Sequence, residues 1–182
     1  MATAEKNVFE VPSKEQVSEN NQAIFDNLEK NLGFVPNLYA TFALNDTALG
    51  DYLAFQNRKS SLTGKEREII NLVVSQVNEC QYCLAAHTAL AKNYKFTDEQ
   101  ILEIRRAQVS FNEKYNTLTK FVKETTVNRG RPSQNAVDQL FEAGYTQAQL
   151  IDIIIVIGDK IISNYIHNIT QIPVDFPAAP KL

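Results

Sequence analysis

Apolar residues recur at helical spacing along almost the whole chain, and this periodicity limits the possible folds more than any other feature of the sequence. The six glycines and six prolines gather between the periodic segments, where they would interrupt a helix least. The one β-branched run, 153–157, lies inside a longer periodic segment that begins at Thr146, a residue type that caps helices. The sequence therefore predicts an all-α fold.

Nine helices are expected, with ends uncertain by about three residues. They cover residues 14–31, 37–44, 46–59, 63–77, 80–93, 97–107, 112–128, 133–142 and 146–168. Three of the starts have the capping-box spacing: Ser13 with Gln16, Thr63 with Glu66, and Thr97 with Gln100. Residues 129–132 break the pattern and are predicted to form a turn.

The length of 182 residues and the hydrophobic content of 44% suit a single compact domain over residues 1–182. An N-terminal arm is expected at about 1–13 and an extended, proline-rich tail at about 172–182. Phe96-Thr97 and Tyr145-Thr146 are similar entries to helices, 49 residues apart. The domain is therefore expected to contain two similar helical halves.

Charge and hydropathy exclude two classes of partner. The net charge of −3 and the absence of any lysine or arginine run give no basic surface for nucleic acid. The most apolar run, 150–162, contains Asp152, Asp159 and Lys160 and is shorter than the ~20 residues that cross a membrane. The first seven residues lack the pattern of a signal peptide, so we expect a cytoplasmic protein in a reducing compartment.

The two cysteines, Cys80 and Cys83, are separated by only two residues. A disulfide across so short a loop removes little entropy from the unfolded chain, so it would stabilise the fold weakly. In a reducing compartment, such a pair indicates redox catalysis or metal binding.

Cys80, Cys83 and His87 are spaced i, i+3 and i+7, which would place them on one face of a helix. Cys83 and His87 are i, i+4 neighbours with Cβ atoms about 6 Å apart, so the imidazole can exchange a proton with the thiol. The cysteines also fall at a predicted helix start, where unpaired backbone N–H groups favour the reactive thiolate.

Glu68 lies on the preceding helix, whose predicted inward face includes Ile69, Leu72, Val73 and Gln76. If the two helices pack antiparallel, Glu68 reaches the cysteine helix near His87. A carboxylate there would orient the imidazole ring and raise its basicity, as in sites that combine a nucleophile, a base and an orienting acid.

The spacing of these four residues resembles a known family signature. Glu68 is followed after eleven residues by Cys80-Gln81-Tyr82-Cys83 and, after three more, by His87. This resembles the Glu-x11-Cys-x2-Cys-x3-His signature of the AhpD-like branch of the carboxymuconolactone decarboxylase superfamily. The residues around the signature, 62–68 and 85–87, also resemble sequences of that family, as do Asn164-Tyr165 and residues 172–177 near the end of the chain. The resemblance covers about residues 31–177, and the five-part signature is far more specific than a Cys-x2-Cys pair alone.

This resemblance implies an AhpD-like helical fold, a homo-oligomer such as a trimer or hexamer, and antioxidant reduction of alkyl hydroperoxides or hydrogen peroxide. It implies that Cys83 becomes a sulfenic acid, that Cys80 closes the disulfide, and that His87 and Glu68 relay protons. A dihydrolipoyl or similar dithiol, which a lipoylated protein can carry, would reduce the disulfide without a bound cofactor. Helix-end arguments alone would favour Cys80 as the nucleophile, whereas the adjacency of His87 favours Cys83.

Other interpretations of the same residues remain open. The cysteines could serve a disulfide reductase that does not act on peroxide, or could simply be small buried side chains. With His87 they could bind zinc, although no fourth ligand is evident and the other histidine, His167, reads as a core residue. Arg105 and Arg106 are expected to form a solvated or subunit-facing charge pair.

Overall fold

The computed structural model describes residues 9–182, which form nine α-helices and no strand. The helices are α1 Glu19–Leu32, α2 Asn37–Phe42, α3 Ala48–Gln56, α4 Gly64–Val77, α5 Gln81–Asn93, α6 Asp98–Arg106, α7 Glu113–Val127, α8 Gln134–Glu142 and α9 Gln147–Thr170. The all-α prediction is confirmed. The expected signal-free start and most of the expected N-terminal arm, residues 1–8, lie outside the described residues.

The first predicted helix, 14–31, is wrong at its beginning. Residues 14–16 form only a short 3₁₀ turn, and Val17 adopts an extended conformation with ψ 163°. Helix α1 then begins after Ser18, whose hydroxyl oxygen accepts a hydrogen bond from the Asn21 N–H at 3.4 Å. A serine that caps the chain locally thus interrupts a pattern that apolar spacing alone would continue.

Threonine caps define the starts of three helices in the same way. Thr63 and Thr97 form the predicted capping boxes at the starts of α4 and α6. Thr146 makes the equivalent pair of bonds with Gln149 before α9, at 3.0 and 3.2 Å. Phe96 and Tyr145, which precede two of these caps, are both buried. The repeated sequence thus produces the same local structure twice.

The described residues fall into two compact units. The first contains residues up to Arg58 together with 166–175, and the second contains 59–165 together with 176–182. The expected single domain with two similar halves stays a prediction.

In the first unit, aromatic and aliphatic side chains of α1, α2 and α3 are buried. The rings of Phe42 and Tyr52 stack at 4.3 Å between centroids. The chain after α9 joins this unit because the Asn37 N–H donates to Asp175 Oδ2 at 2.7 Å. Beyond Thr170 the described chain forms no further helix.

Helix α4 lies at the centre of the second unit. Its residues Ile69, Ile70, Leu72, Val73 and Val74 are completely buried, as in a helix that is packed on all sides. The remaining core comes from α5 to α9.

Helices α4 and α5 run antiparallel, as the position of Glu68 requires. The ring of Tyr94, just after α5, covers Gly64 at the start of α4, and a Cβ atom at that position would collide with it. Each helix therefore begins where the other ends.

The expected solvated pair of arginines is wrong for Arg105, whose side chain is buried. Its guanidinium donates from Nε to Gln76 Oε1 at 2.9 Å and from Nη1 to the Pro180 carbonyl at 2.6 Å. Arg105 therefore joins α6 to the C-terminal segment, while Arg106 is exposed. A sequence pattern based on charge could not indicate this because the acceptors are uncharged.

Residues 9–182 contain no helix with both the length and the apolar content that a membrane crossing requires.

Candidate active site

The candidate site is built on the turn between α4 and α5, which consists of only Asn78, Glu79 and Cys80. The Cys80 N–H donates to the Ser75 carbonyl at 3.0 Å, and the Glu79 N–H donates to the Gln76 carbonyl at 3.2 Å. Glu79 has a φ of 54°, in the left-handed region. These features form a Schellman motif, which ends α4 and holds the backbone of Cys80.

Cys80 also caps α5, which begins at the next residue. Its Sγ accepts a hydrogen bond from the Cys83 N–H at 3.3 Å. The prediction that both cysteines lie at a helix start is therefore confirmed, but Cys80 has a φ of −78° and a ψ of 100° and lies just outside the helix. The predicted stripe on one helix is thus correct for Cys83 and His87 and wrong for Cys80, because the Schellman motif sets its backbone.

Both cysteines are free thiols and both are almost inaccessible, with Cys80 0% and Cys83 2% exposed. A reagent that reaches Cys83 must therefore be small or must enter when the surrounding helices move. This burial limits the class of oxidant that the site can accept in the conformation described.

Glu68 and His87 form the contact that the sequence predicts. His87 Nδ1 lies 2.8 Å from Glu68 Oε2, and both residues are buried. The Asn71 side-chain amide donates to the other oxygen of Glu68 at 3.3 Å. With Glu68 ionised, Nδ1 carries the shared proton, and Nε2 is the nitrogen left to exchange a proton with Cys83.

Opposing effects act on the Glu68 carboxyl group. Burial alone would raise its pKa, but the charge of His87 and the hydrogen bond to it act in the other direction, and Lys160 and Asn71 add to them. On balance the pKa of Glu68 lies below the ordinary value of 4.5. Glu68 is therefore a carboxylate at neutral pH and can stabilise a protonated His87.

The two thiols differ strongly in acidity. A hydrogen bond from the Cys80 thiol lowers the pKa of Cys83, against the effect of burial, and the charges of Lys160 and His87 lower it further. The same hydrogen bond, together with burial, raises the pKa of Cys80. Cys83 is therefore the thiol that ionises first, and Cys80 donates a proton to it.

Helix α9 completes the site with residues that the sequence analysis did not assign to it. Asn164 is completely buried, donates to Ser75 Oγ at 3.3 Å and accepts from the Asn78 amide at 3.0 Å. Asn164 also hydrogen-bonds to Cys83 and helps to lower its pKa.

Lys160, one turn earlier in α9, is only 3% exposed. In the sequence, Lys160 stands out only as a charged interruption of an apolar run. The signal that could have found it is the spacing of Lys160 and Asn164, which are four residues apart on one face of an otherwise apolar helix.

His167 is buried and lies within the first unit, in agreement with a core residue. Among residues 9–182, no three His, Cys, Asp or Glu side chains are grouped as the ligands of a metal ion would be.

Comparison with known proteins supports the same family as the signature. Residues 42–123, which include all four predicted site residues, match the carboxymuconolactone decarboxylase family. No curated protein sequence matches the chain at a significant level.

Several solved structures share the fold. An uncharacterized peroxidase-related protein from Silicibacter sp. TM1040 superposes with a TM-score of 0.81 at 23% identity, over 94% of each chain. An AhpD-core, peroxidase-related protein from Ralstonia eutropha JMP134 gives 0.83 at 20% identity, over 92% of this chain and 91% of the other. A cysteine-to-alanine variant of the debrominase Bmp8 in complex with 2,3,4-tribromopyrrole gives 0.76 at 16% identity, over 96% and 94%.

Proposed function

We propose that this chain, an AhpD-like member of the carboxymuconolactone decarboxylase superfamily, is a thiol-dependent peroxidase that reduces hydrogen peroxide or alkyl hydroperoxides. One arrangement of residues carries the proposal. Cys83 is buried, its pKa is lowered, and the Cys80 thiol lies at its side. On the same pair of helices, His87 and Glu68 are in contact at 2.8 Å. The family and the solved relatives support a catalytic role more generally, and the peroxidase reaction is our specific assignment.

In the first step, the Cys83 thiolate attacks the terminal oxygen of the hydroperoxide. A sulfur–oxygen bond forms, the oxygen–oxygen bond breaks, and the leaving alkoxide takes a proton from His87. The products are the sulfenic acid of Cys83 and an alcohol, or water when the oxidant is hydrogen peroxide. Glu68 stabilises the imidazolium before the transfer and keeps the ring oriented afterwards.

In the second step, Cys80 attacks the sulfenic sulfur and water leaves, which forms the Cys80–Cys83 disulfide. A dithiol donor then gives two electrons and two protons, restores both thiols and becomes a disulfide itself. The balanced reaction converts one hydroperoxide and one dithiol to one alcohol, one water and one disulfide. A lipoylated protein carries a donor of the required chemistry.

Burial of the cysteines favours a small oxidant over a protein disulfide. Thiol–disulfide exchange requires the attacking sulfur to line up with both sulfurs of its target, which is bulky. At 2% exposure, Cys83 can be reached by a hydroperoxide through a narrow path, whereas a protein disulfide reaches it only if the surrounding helices move. The dithiol arm that reduces the Cys80–Cys83 disulfide needs the same movement. Burial therefore favours the peroxidase in the first step of the cycle over a disulfide reductase that would use the same residues.

The test is mass spectrometry of the reduced protein after one equivalent of peroxide. We expect a loss of two hydrogens that maps to Cys80–Cys83. Cys80→Ser should stop at a sulfenic acid that dimedone traps, and Cys83→Ser should keep its remaining thiol. Persistence of both thiols in the wild-type protein at millimolar peroxide would show that the proposal is wrong.

Two parallel assays separate the alternatives. A disulfide substrate that is reduced faster than peroxide would favour the disulfide reductase. A brominated pyrrole is a useful comparison because a debrominase shares the fold. Release of bromide without peroxide turnover would assign the thiolate to dehalogenation instead.

We also propose that the protein forms a homo-oligomer in the cytoplasm, through α9. Ile151, Ile154, Ile162 and Tyr165 are all exposed on one face of this helix. They are arranged symmetrically about Gly158, at four and seven residues on either side, and nothing lies within 4 Å of a Cβ atom at that glycine. An antiparallel pair of α9 helices from two copies would therefore bring Ile154 against Ile162 and Ile151 against Tyr165.

Light scattering tests this oligomer. We expect the wild-type protein to be larger than 20.5 kDa and Ile154→Lys to shift it toward that mass, while Lys120→Met, an exposed control on α7, leaves it unchanged. A wild-type protein that stays monomeric would exclude the interface.

A further inference from the structure

Lys160 is an ammonium group buried beside the cysteine turn. Its helix is fixed there by Asn164, which bonds to the side chains of Ser75 and Asn78. Ser75 in turn accepts the Cys80 N–H through its carbonyl. Lys160 lies one turn from Asn164 on the same face of α9, and its exposure is 3%. The lysine side chain is therefore directed to the side of α9 that meets the redox pair.

A buried ammonium is costly unless an opposite charge lies close to it. Within residues 9–182, the ammonium group of Lys160 forms no ion pair with a carboxylate. The charge of Lys160 acts on Glu68, but that carboxylate already binds His87. The charge of Lys160 also acts on the sulfur of Cys83, which becomes an anion when the thiol ionises.

We propose that Lys160 is the buried counter-charge of the Cys83 thiolate, and that it stabilises the reduced site relative to the Cys80–Cys83 disulfide. The inference rests on the proposed dithiol–disulfide cycle but does not depend on which oxidant drives it. Lys160 acts through Cys83 and is a positioning residue rather than a catalytic one.

The charge balance of the cycle explains the effect. When dithiothreitol reduces the disulfide, it gives up two electrons and two protons. The protein takes both electrons but keeps one proton on Cys80, and the other is released because Cys83 remains a thiolate. Oxidation removes that negative charge and leaves Lys160 buried without it. The disulfide is thus destabilised, as in oxidoreductases whose reduced form is stabilised by its surroundings.

The first test is the pH at which Cys83 ionises, measured as the ultraviolet absorbance of the thiolate. The oxidised protein serves as the reference because it contains the same tyrosines. The charged and titratable groups that act on Cys83 are Cys80 at the N-cap of α5, His87 on α5 and Lys160 on α9, and Glu68 on α4 acts through its contact with His87. Lys160→Met should raise the midpoint by about one pH unit, a tenfold loss of thiolate. Lys160→Arg and the exposed control Lys120→Met should leave it near the wild-type value.

The second test is the reduction potential of the pair, measured at pH 7 in dithiothreitol redox buffers. Lys160→Met should make the potential more negative by up to about 30 mV, which corresponds to a tenfold change in the equilibrium constant. Circular dichroism confirms that the variants fold, and Lys160→Gln replaces Lys160→Met if the latter does not.

A neutral variant with an unchanged midpoint and an unchanged potential would overturn the inference. The outcome is independent of peroxide assays: a shifted midpoint in a protein that does not react with peroxide would retain the role of Lys160 and reject the peroxidase. Normal peroxide turnover, with no change in the ionisation midpoint or in the reduction potential of the Lys160 variant, would retain the peroxidase and reject the role of Lys160.

Discussion

Two carboxylates of α4, Glu66 and Glu68, lie two residues apart and are both buried, at 4% and 8% exposure. They nevertheless bond to different parts of the molecule, the start of the helix and the candidate site. Glu66 Oε2 accepts from the N–H and the hydroxyl of Thr63, at 2.8 Å each, which closes the capping box at the start of the helix. Glu68 bonds to His87 and Asn71 instead.

The two carboxylates differ in the groups that are hydrogen-bonded to them. The groups that bind Glu66 keep their protons throughout the physiological pH range, so this carboxylate only stabilises the helix start. His87, in contrast, lies beside a cysteine with which it can exchange a proton, so Glu68 can take part in chemistry. Burial of a carboxylate is therefore not evidence of a site, whereas burial beside a histidine and a cysteine pair is.

The same substitution at the two positions gives the strongest test of this comparison. Glu68→Gln removes the charge that stabilises the His87 imidazolium, and we expect the rate of peroxide reduction to fall by about 100-fold. Glu66→Gln should change this rate by less than about twofold, since it lies outside the relay. Stopped-flow measurement of thiol loss gives both rates.

Equal losses of rate in the two variants would show that the effect is structural. If both variants kept the wild-type rate of peroxide reduction, the Glu68–His87 contact would not be needed for the reaction.

Much of this arrangement is predictable from the sequence, for identifiable reasons. Spacing places Glu68 opposite His87 because helix periodicity and an antiparallel pair of helices fix their faces. The threonine caps are local, so they too can be recognised from a few residues. Lys160 and Asn164 could not be assigned because they enter the site from a helix about 80 residues later, and periodicity carries no information about such packing.

Cys80 and Arg105 show two further limits. The position of Cys80 depends on a positive φ at Glu79, a non-glycine residue that gives no sequence signal for a left-handed turn. Arg105 bonds to a backbone carbonyl in the C-terminal segment, and such acceptors exist at every residue.

Acid should reduce the stabilising contribution of Glu68. The pKa of Glu68 is lower in the folded chain than its ordinary value of 4.5, so its contribution is complete well above 4.5 and is lost as the pH falls from there through the lower pKa of the folded chain. We expect Glu68→Gln to lower the free energy of unfolding by about 1.5 to 3 kcal/mol at pH 7. This difference should shrink below pH 4.5 in urea titrations at a series of pH values. A constant difference across that range would contradict the ion pair.

Thr63→Ala tests the other region. It removes the hydroxyl that accepts the Glu66 N–H at 3.2 Å, and we expect a loss of about 1 kcal/mol in the free energy of unfolding. The rate of thiol oxidation should stay at the wild-type value. A slower reaction would mean that the start of α4 is coupled to the site.

Glu66→Gln should have the smallest effect on stability, about 0.5 kcal/mol or less. Glutamine can still accept the bonds from Thr63, and the charge that it removes faces the half-exposed Lys114 at 3.8 Å. Urea titration of this variant beside Thr63→Ala would show whether the cap or the charge matters. A larger loss than in Thr63→Ala would reverse our interpretation.

Cys80 has two structural duties, since its backbone ends α4 and its sulfur caps α5. A sulfur engaged in a disulfide is a poorer acceptor than a thiol and must turn toward Cys83. Oxidation should therefore weaken the cap at the first turn of α5, and the Cys83 amide hydrogen should exchange with solvent faster in the oxidised protein. The first turn of α5 would then be less stable in the oxidised protein than in the reduced one, because the same sulfur atom caps the helix and takes part in the redox cycle.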